Sequence, residues 1–309
     1  MEFGNHLVNR VGRLKEGATA LSDRETVEGI LFALPYLAVF SVFLLYPLLK
    51  GLYMSLFDWN AIYPEESEFI LFDNYVRMMN DGRFWNAVKN TLYFVVLTVP
   101  TLVTLGLMLA LGVNRHVKGQ KFLRAVFFSP YILTVSVVAL IWIEMYAPQY
   151  GVLNYYLEFV VDGAPNWLNS HAFAMPAIAL ATVWWTLGFN FVILFSARQS
   201  VPERLYEAAR LDGASSWNAF KDITLPQMKP ALLFVTVVQF IASFQIFGQV
   251  HIMTSGGPGR STETLVVYLY RAAFQQHDFG YAAAIGYFLF AVLIVVSLAN
   301  YYFMGDSDE

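Results

Sequence analysis

The sequence predicts an all-α, polytopic membrane protein: six transmembrane helices interrupted by one long polar loop. Three observations predict it. Hydrophobic residues make up 57% of the 309 positions and charged residues only 14%, whereas a soluble domain carries about 25% charge. Six apolar runs are each long enough to cross a hydrocarbon core of about 30 Å at about 1.5 Å per residue. Lys and Arg collect in alternate loops, as they do when chains are inserted with their positive loops inside.

Taken in order, residues 1–28 are polar and carry Arg10, Arg13, Lys15 and Arg24. No apolar stretch there precedes a small-residue cleavage site, so the segment reads as a cytoplasmic tail rather than a signal peptide. A six-helix domain follows over residues 29–303, with spans near Gly29–Phe57, Ala87–Asn114, Phe122–Tyr146, Ala172–Phe195, Ala231–Thr254 and Tyr281–Phe303. Residues 304–309 form a short acidic tail. The connection from Asn114 to Arg124 holds Arg115, Lys118, Lys121 and Arg124, whereas Gln149–Ser170 has no Lys or Arg. With an even number of spans, both termini are expected in the cytoplasm.

Within the spans, Pro35, Pro47, Pro100 and Pro130 are expected to bend their helices. Lys50 can snorkel toward the outer interface. Glu144 suits that interface, a pairing with Lys50, or an aqueous path. Asn190 lies near mid-depth and needs a hydrogen-bonding partner; helix–helix bonding and a place on a solute path both answer that need. The fifth span is the most polar, with Gln239, Ser243, Gln245, Gln249 and His251. Gln245 and Gln249 are four apart and are predicted to share a helix face. Amides that bond hydroxyls, beside the rings of Phe240, Phe244 and Phe247, suit a sugar. They equally suit helix–helix bonding. His251 has no second ligand that would make a metal site.

The polar loop, residues 200–230, reads as two short helices around a sharp turn. Ser200 and Glu203 have the spacing of a capping box, with Pro202 in the first turn. Gly213 is the expected stop. A second helix begins at Ser215 or Ser216, places Trp217 and Phe220 on one side, and is expected to end at Pro226. Four basic residues, Arg204, Arg210, Lys221 and Lys229, put the loop in the cytoplasm. An amphipathic hairpin lying on the membrane surface would look the same.

The order Glu207-Ala208-Ala209, Asp212-Gly213-Ala214, Ile223, Leu225-Pro226 and Pro230 resembles the EAA loop of ABC importer membrane subunits, in particular the sugar-type permeases of the maltose and glycerol-3-phosphate family. Phe72-Asp73-Asn74-Tyr75, Phe84-Trp85-Asn86 with Asn90-Thr91, Gly256-Gly257-Pro258, and Gly280-Tyr281-Ala282-Ala283-Ala284 occur in the order that family shows. The resemblance implies a coupling helix that docks in an ATPase, with Glu207, Ala208, Ala209, Asp212, Gly213, Leu225 and Pro226 at the coupling surface. It implies as partners a second permease subunit, two ATPase subunits that carry ATP and Mg, and an extracytoplasmic solute-binding protein. It places the chain in a prokaryotic cytoplasmic membrane, in contact with lipid. Asn190, Ser243, Phe244, Gln245 and Gln249 are the candidate path residues for a sugar: a mono-, di- or oligosaccharide. Gly280, Ala282, Ala283, Ala284 and Gly286 suit a close-packed subunit interface.

The sequence has no phosphate loop, no hydrolase elbow and no zinc-helix motif, so no enzymatic role and no cofactor of its own are expected. It has no Cys, which excludes disulfides and thiolate chemistry, and no basic patch suited to nucleic acid. The alternatives are a secondary transporter, which calls for titratable groups at mid-bilayer and often for broken helices in related halves, and a non-transporting membrane scaffold, which calls for no polar face in its spans.

Overall fold

The computed structural model describes residues 24–113, 119–160, 163 and 165–305. Arg10, Arg13, Lys15, Arg115, Lys118 and residues 306–309 lie outside them. The chain divides into two compact units, Met1–Met54 and Ser55–Glu309. The first is built on one long apolar helix. Its α1, Arg24–Phe40, passes through a π-helical turn, Ser41–Leu45, into α2, Tyr46–Ser55. Pro35 lies within α1, and Pro47 follows the π turn, where the regular ladder is already open. The Lys50 ammonium lies 4.9 Å from the centroid of the Tyr53 ring, a cation–π contact that shields it.

The second unit opens with two short antiparallel strands, β1 (Phe57–Asp58) and β2 (Glu68–Phe69). Helices follow: α3, Asp73–Asn80; α4, Gly82–Gly112; α5, Gln120–Phe128; α6, Val135–Met145; α7, Val152–Leu157; and α8, Ala174–Ser200. The polar loop holds α9, Glu203–Leu211, and α10, Ser216–Ala219. Then come α11, Leu225–Phe244; α12, Gly248–Met253; α13, Leu265–Tyr270; and α14, Phe279–Gly305. Helices α4 and α8 pack along much of their length, and α11 lies against both and against α14. Gly106 allows the first contact: a Cβ there would stand 3.2 Å from the Asn190 Cβ.

Among the described residues, five stretches are long and apolar enough to cross a membrane, and a bent pair makes a sixth. The expected segments are therefore present, with corrections. The third is not a straight span. Residues 120–132 and 135–145 meet at 98°. Pro130 lies in a tight turn, Ser129–Ile132, after which Leu133 and Thr134 are extended. The Leu133 carbonyl, freed from the helix ladder, accepts the Trp185 indole N–H at 3.1 Å. Helix α4, in contrast, runs through Pro100 without interruption.

The fifth span also breaks. Helix α11 ends at Phe244, Gln245 is its cap, and α12 restarts at Gly248. Gln245 and Gln249 therefore do not share one continuous helix face, as their spacing predicted. Gly248 lets α12 approach α6, since its added Cβ would lie 2.9 Å from a Val135 methyl. Thr264 donates its hydroxyl to the Ile246 carbonyl at 3.1 Å, so the break leaves that acceptor satisfied.

Two resemblance motifs turn out to be braces. Buried Asn74 donates to the carbonyls of Ser55 (3.0 Å) and Phe57 (2.9 Å), and Tyr75 bonds the Ser55 hydroxyl at 2.8 Å. Asn90 donates to the carbonyls of Arg260 (2.9 Å) and Glu263 (3.0 Å), and Thr91 accepts the Leu265 amide at 2.9 Å. The small-residue stripe of the last helix is used within the chain. Ala282 and Ala284 are buried, and a Cβ on Gly286 would meet Leu269 of α13.

Candidate functional site

The loop at residues 200–230 folds as two helices around the predicted turn. Gly213 has φ +76°, its amide donates to the Arg210 carbonyl (3.2 Å), and the Ala214 amide donates to that of Ala209 (2.8 Å). This is the paired bonding of a Schellman stop, which needs a left-handed residue that glycine supplies cheaply. Ser215 caps α10, its hydroxyl accepting the Asn218 amide at 3.2 Å. The predicted capping box is absent. Ser200 ends α8 and donates to the Ala197 carbonyl at 2.7 Å, while Pro202 stands at the N-cap of α9 with no side-chain cap bond.

Pro226 does not end the second helix either. A π-helical turn, Phe220–Thr224, joins α10 to α11, and Pro226 falls in the first turn of α11, where a missing N–H costs little. Glu207, Ala208, Asp212 and Gly213 are exposed, Ala209 is half-buried, and Leu225 and Pro226 are exposed. Leu211 is 90% and Trp217 68% exposed. Two large apolar side chains are thus held outward on an ordered hairpin. Behind them lies a recess of about 650 Å³, lined in part by Leu111, Arg198, Tyr206, Phe220 and Thr224.

The candidate path residues separate. Asn190 is fully buried. It donates to the Thr186 carbonyl at 3.2 Å and accepts from the buried Gln239 amide at 3.0 Å, tying α8 to α11. Ser243 bonds Thr98 of α4 at 3.0 Å. Phe244 and Gln249 are buried. Gln245 alone of the five is exposed, at the break between α11 and α12. Next to it the rings of Phe247, His251 and Tyr270 pack together, with the Phe247 and His251 centroids 5.0 Å apart and nearly parallel. His251 is thus a partly buried ring in an aromatic cluster, and Glu144 is exposed.

At the end of the unit that carries the strands, the structure shows a network that the sequence reading did not single out. The Glu263 carboxylate is fully buried. It accepts Arg83 Nε at 2.9 Å and Nη2 at 2.7 Å, and also Arg271 Nη1. Asp81 caps α4 by accepting the Arg83 amide at 2.8 Å, and it accepts the hydroxyls of Tyr268 and Tyr281. Burial opposes its ionisation, but these bonds outweigh burial and hold its carboxyl below the usual range. Burial, and then the bond to Asp81, push the Tyr268 hydroxyl up to about 12. Arg77 pairs with Asp278 at 2.6 Å. The available signal was a carboxylate in a loop between two Thr, with Arg83 and Arg271 both near span ends.

Five or six apolar spans around a polar hairpin, with a broken third span, define a multi-pass membrane protein of the kind that forms transport subunits and transporters alike. The chain belongs to the family of binding-protein-dependent transport system inner membrane components, whose model matches residues 75–304. It is 34% identical over 281 residues to the lactose transport system permease protein LacF of Rhizobium radiobacter, covering 89% of this chain and 93% of that protein. It is 33% identical over 274 residues to the trehalose/maltose transport system permease protein MalF of Thermococcus litoralis, covering 89% and 92%. A crystal structure of a bacterial ABC transporter for the acidic polysaccharide alginate shares the fold, with TM-score 0.78 and 24% identity over 94% of this chain and 98% of that one. The chain is thus a multi-pass membrane permease subunit of an ABC importer, not an enzyme, and the scaffold and secondary-transporter alternatives fall away.

Proposed function

We propose that this subunit forms half of a translocation path for a sugar, with both termini in the cytoplasm of a prokaryotic cell. The exposed hairpin at residues 203–224 carries this reading. It presents Glu207, Ala208 and Leu211 outward on a short helix closed by Gly213, a shape that fits a cleft in an ATPase subunit. The sugar follows from the named substrates of the relatives, lactose and trehalose/maltose, and from the exposed amide of Gln245 beside a cluster of rings.

The full assembly pairs this chain with a second permease subunit and two ATPase subunits that bind ATP and Mg. An extracytoplasmic binding protein delivers the sugar. ATP binding closes the ATPases and moves the hairpins, and the path turns from inward-facing to outward-facing. Hydrolysis resets it. ATP binding and path geometry share one coupling free energy, so each biases the other equally.

Two substitutions test the docking surface. Gly213→Pro and Glu207→Lys should leave the chain in the membrane but abolish sugar-stimulated ATP hydrolysis, and Glu207→Lys should lose the co-purifying ATPase. Normal stimulation in both variants would remove the coupling assignment. The path is tested separately. Gln245→Ala should raise the KM for sugar uptake several-fold, the expected size of one or two lost hydrogen bonds to a hydroxyl. An unaltered KM would take Gln245 off the path.

A further inference from the structure

We propose that Tyr206 is the positioning residue that links the docking helix α9 to the two spans flanking the loop. This rests on the coupling role assigned above and goes beyond it by naming the route inside the chain. Tyr206 touches both flanking spans. Its ring lies under the Arg198 guanidinium of α8, 4.4 Å from centroid to Cζ. Its hydroxyl lies 2.8 Å from the Thr224 hydroxyl, where the π turn meets α11. The Thr224 hydroxyl also lies 3.3 Å from the Ala219 carbonyl, and either hydroxyl of the pair can be the donor. Thr224 is buried, and Tyr206 is half-buried.

Two surroundings make this contact more than local packing. First, the space under α9 is the recess of about 650 Å³, with Tyr206, Ala209 and Arg210 on its wall. The recess leaves open space beneath α9, so apart from its backbone joins a push on α9 reaches the bundle through the side chains that bridge it. Second, the hydroxyl bond ends on a π turn. Such turns are single extra residues in a helix, held by a distorted ladder, and they gather at functional sites. The exposed side of α9 carries Glu207 and Leu211, and in the coupling role proposed above it is the side that meets the partner. The inward side, Tyr206, meets Arg198 and Thr224. A tilt of α9 therefore moves the end of α8 and the start of α11 together, and the π turn is the joint that yields.

The test uses the whole importer in proteoliposomes with its binding protein, reading sugar uptake and ATP hydrolysis from the same sample. Tyr206→Phe keeps the ring under Arg198 and removes only the hydroxyl. Thr224→Val removes the same bond from the other side, and Thr224→Ser keeps a hydroxyl there. Sugar moved per ATP should fall about threefold to tenfold in the Phe and Val variants, the scale of one lost hydrogen bond, and recover in Thr224→Ser. The double variant should be no worse than either single one, because both remove the same interaction. An unchanged ratio in Tyr206→Phe and Thr224→Val, or fully additive losses, overturns the proposal. Glu207→Lys runs alongside. If it couples normally, the coupling role itself fails. If it uncouples while the Tyr206 and Thr224 variants keep the wild-type ratio, only the link through Tyr206 fails.

Discussion

Replacing Gly188 by alanine is expected to destabilise the subunit more than almost any other single methyl group would. A Cβ at Gly188 would stand 2.1 Å from the Phe127 carbonyl oxygen and 2.7 Å from the Phe128 Cα, whereas comfortable carbon contacts begin at about 3.5 Å. Both obstacles are backbone, so no rotamer change relieves them. Helix α8 would have to back away from the end of α5 by about 1 Å or more. Overpacking of this kind costs about 1–3 kcal/mol and at times more. The shift would also pull Trp185, three residues earlier, off the Leu133 carbonyl that it caps, leaving the 98° bend with an open acceptor. The expected outcome is a clearly lower melting temperature in detergent for Gly188→Ala and loss of folded protein for Gly188→Val. A melting temperature equal to wild type in Gly188→Ala would show that the crossing is looser than described.

Glu263→Ala carries the other large effect. One buried carboxylate stands between two guanidinium groups, and its removal leaves Arg83 and Arg271 facing each other with no anion between them. Breaking a buried pair from one side costs about 3–5 kcal/mol, because the remaining charge is left unpaired. The loop around Gly256-Gly257-Pro258 should also loosen, since Arg271 further binds the Ser255 carbonyl. Hydrogen exchange over residues 254–264 should rise sharply in Glu263→Ala and Glu263→Gln, along with a fall in thermal stability. Wild-type protection in both variants would mean that the loop is held by its other bonds, among them those from Asn86, Asn90, Thr91 and Thr264.

What could be read from the sequence divides by physical cause. The spans were legible because lipid admits little but long apolar runs, although α4 begins at Gly82, earlier than hydropathy placed it at Ala87. The turn at Gly213 and the cap at Ser215 were legible because both are local chemistry. Ser200 misled because a capping-box spacing says nothing of a preceding helix that already claims the hydroxyl. The break after Phe244 could not be read from its own residues. It depends on Val135 lying against Gly248 and on Thr264 reaching the Ile246 carbonyl, contacts between positions far apart in the chain. Asn190 needs a partner on sequence grounds and Ser243 is a candidate path residue, but only the fold shows that they bond Gln239 and Thr98. Glu263 went unnoticed because counting loop charges treats every carboxylate as solvated.

The π turn at Phe220–Thr224 also bears on how such a loop can change over evolutionary time. A π turn amounts to one inserted residue within an otherwise regular helix. Deleting a single residue there would restore the α-helical ladder and turn everything beyond it by about 100° relative to α10. Met228, Val235 and Gln239, which now face the interior, would swing toward lipid. The reading frame of the membrane helix is thus set by the length of the loop that precedes it. A side-chain exchange on the exposed hairpin leaves that frame intact, whereas a change of one residue in its length would have to be matched by a second change before the helix enters the bundle.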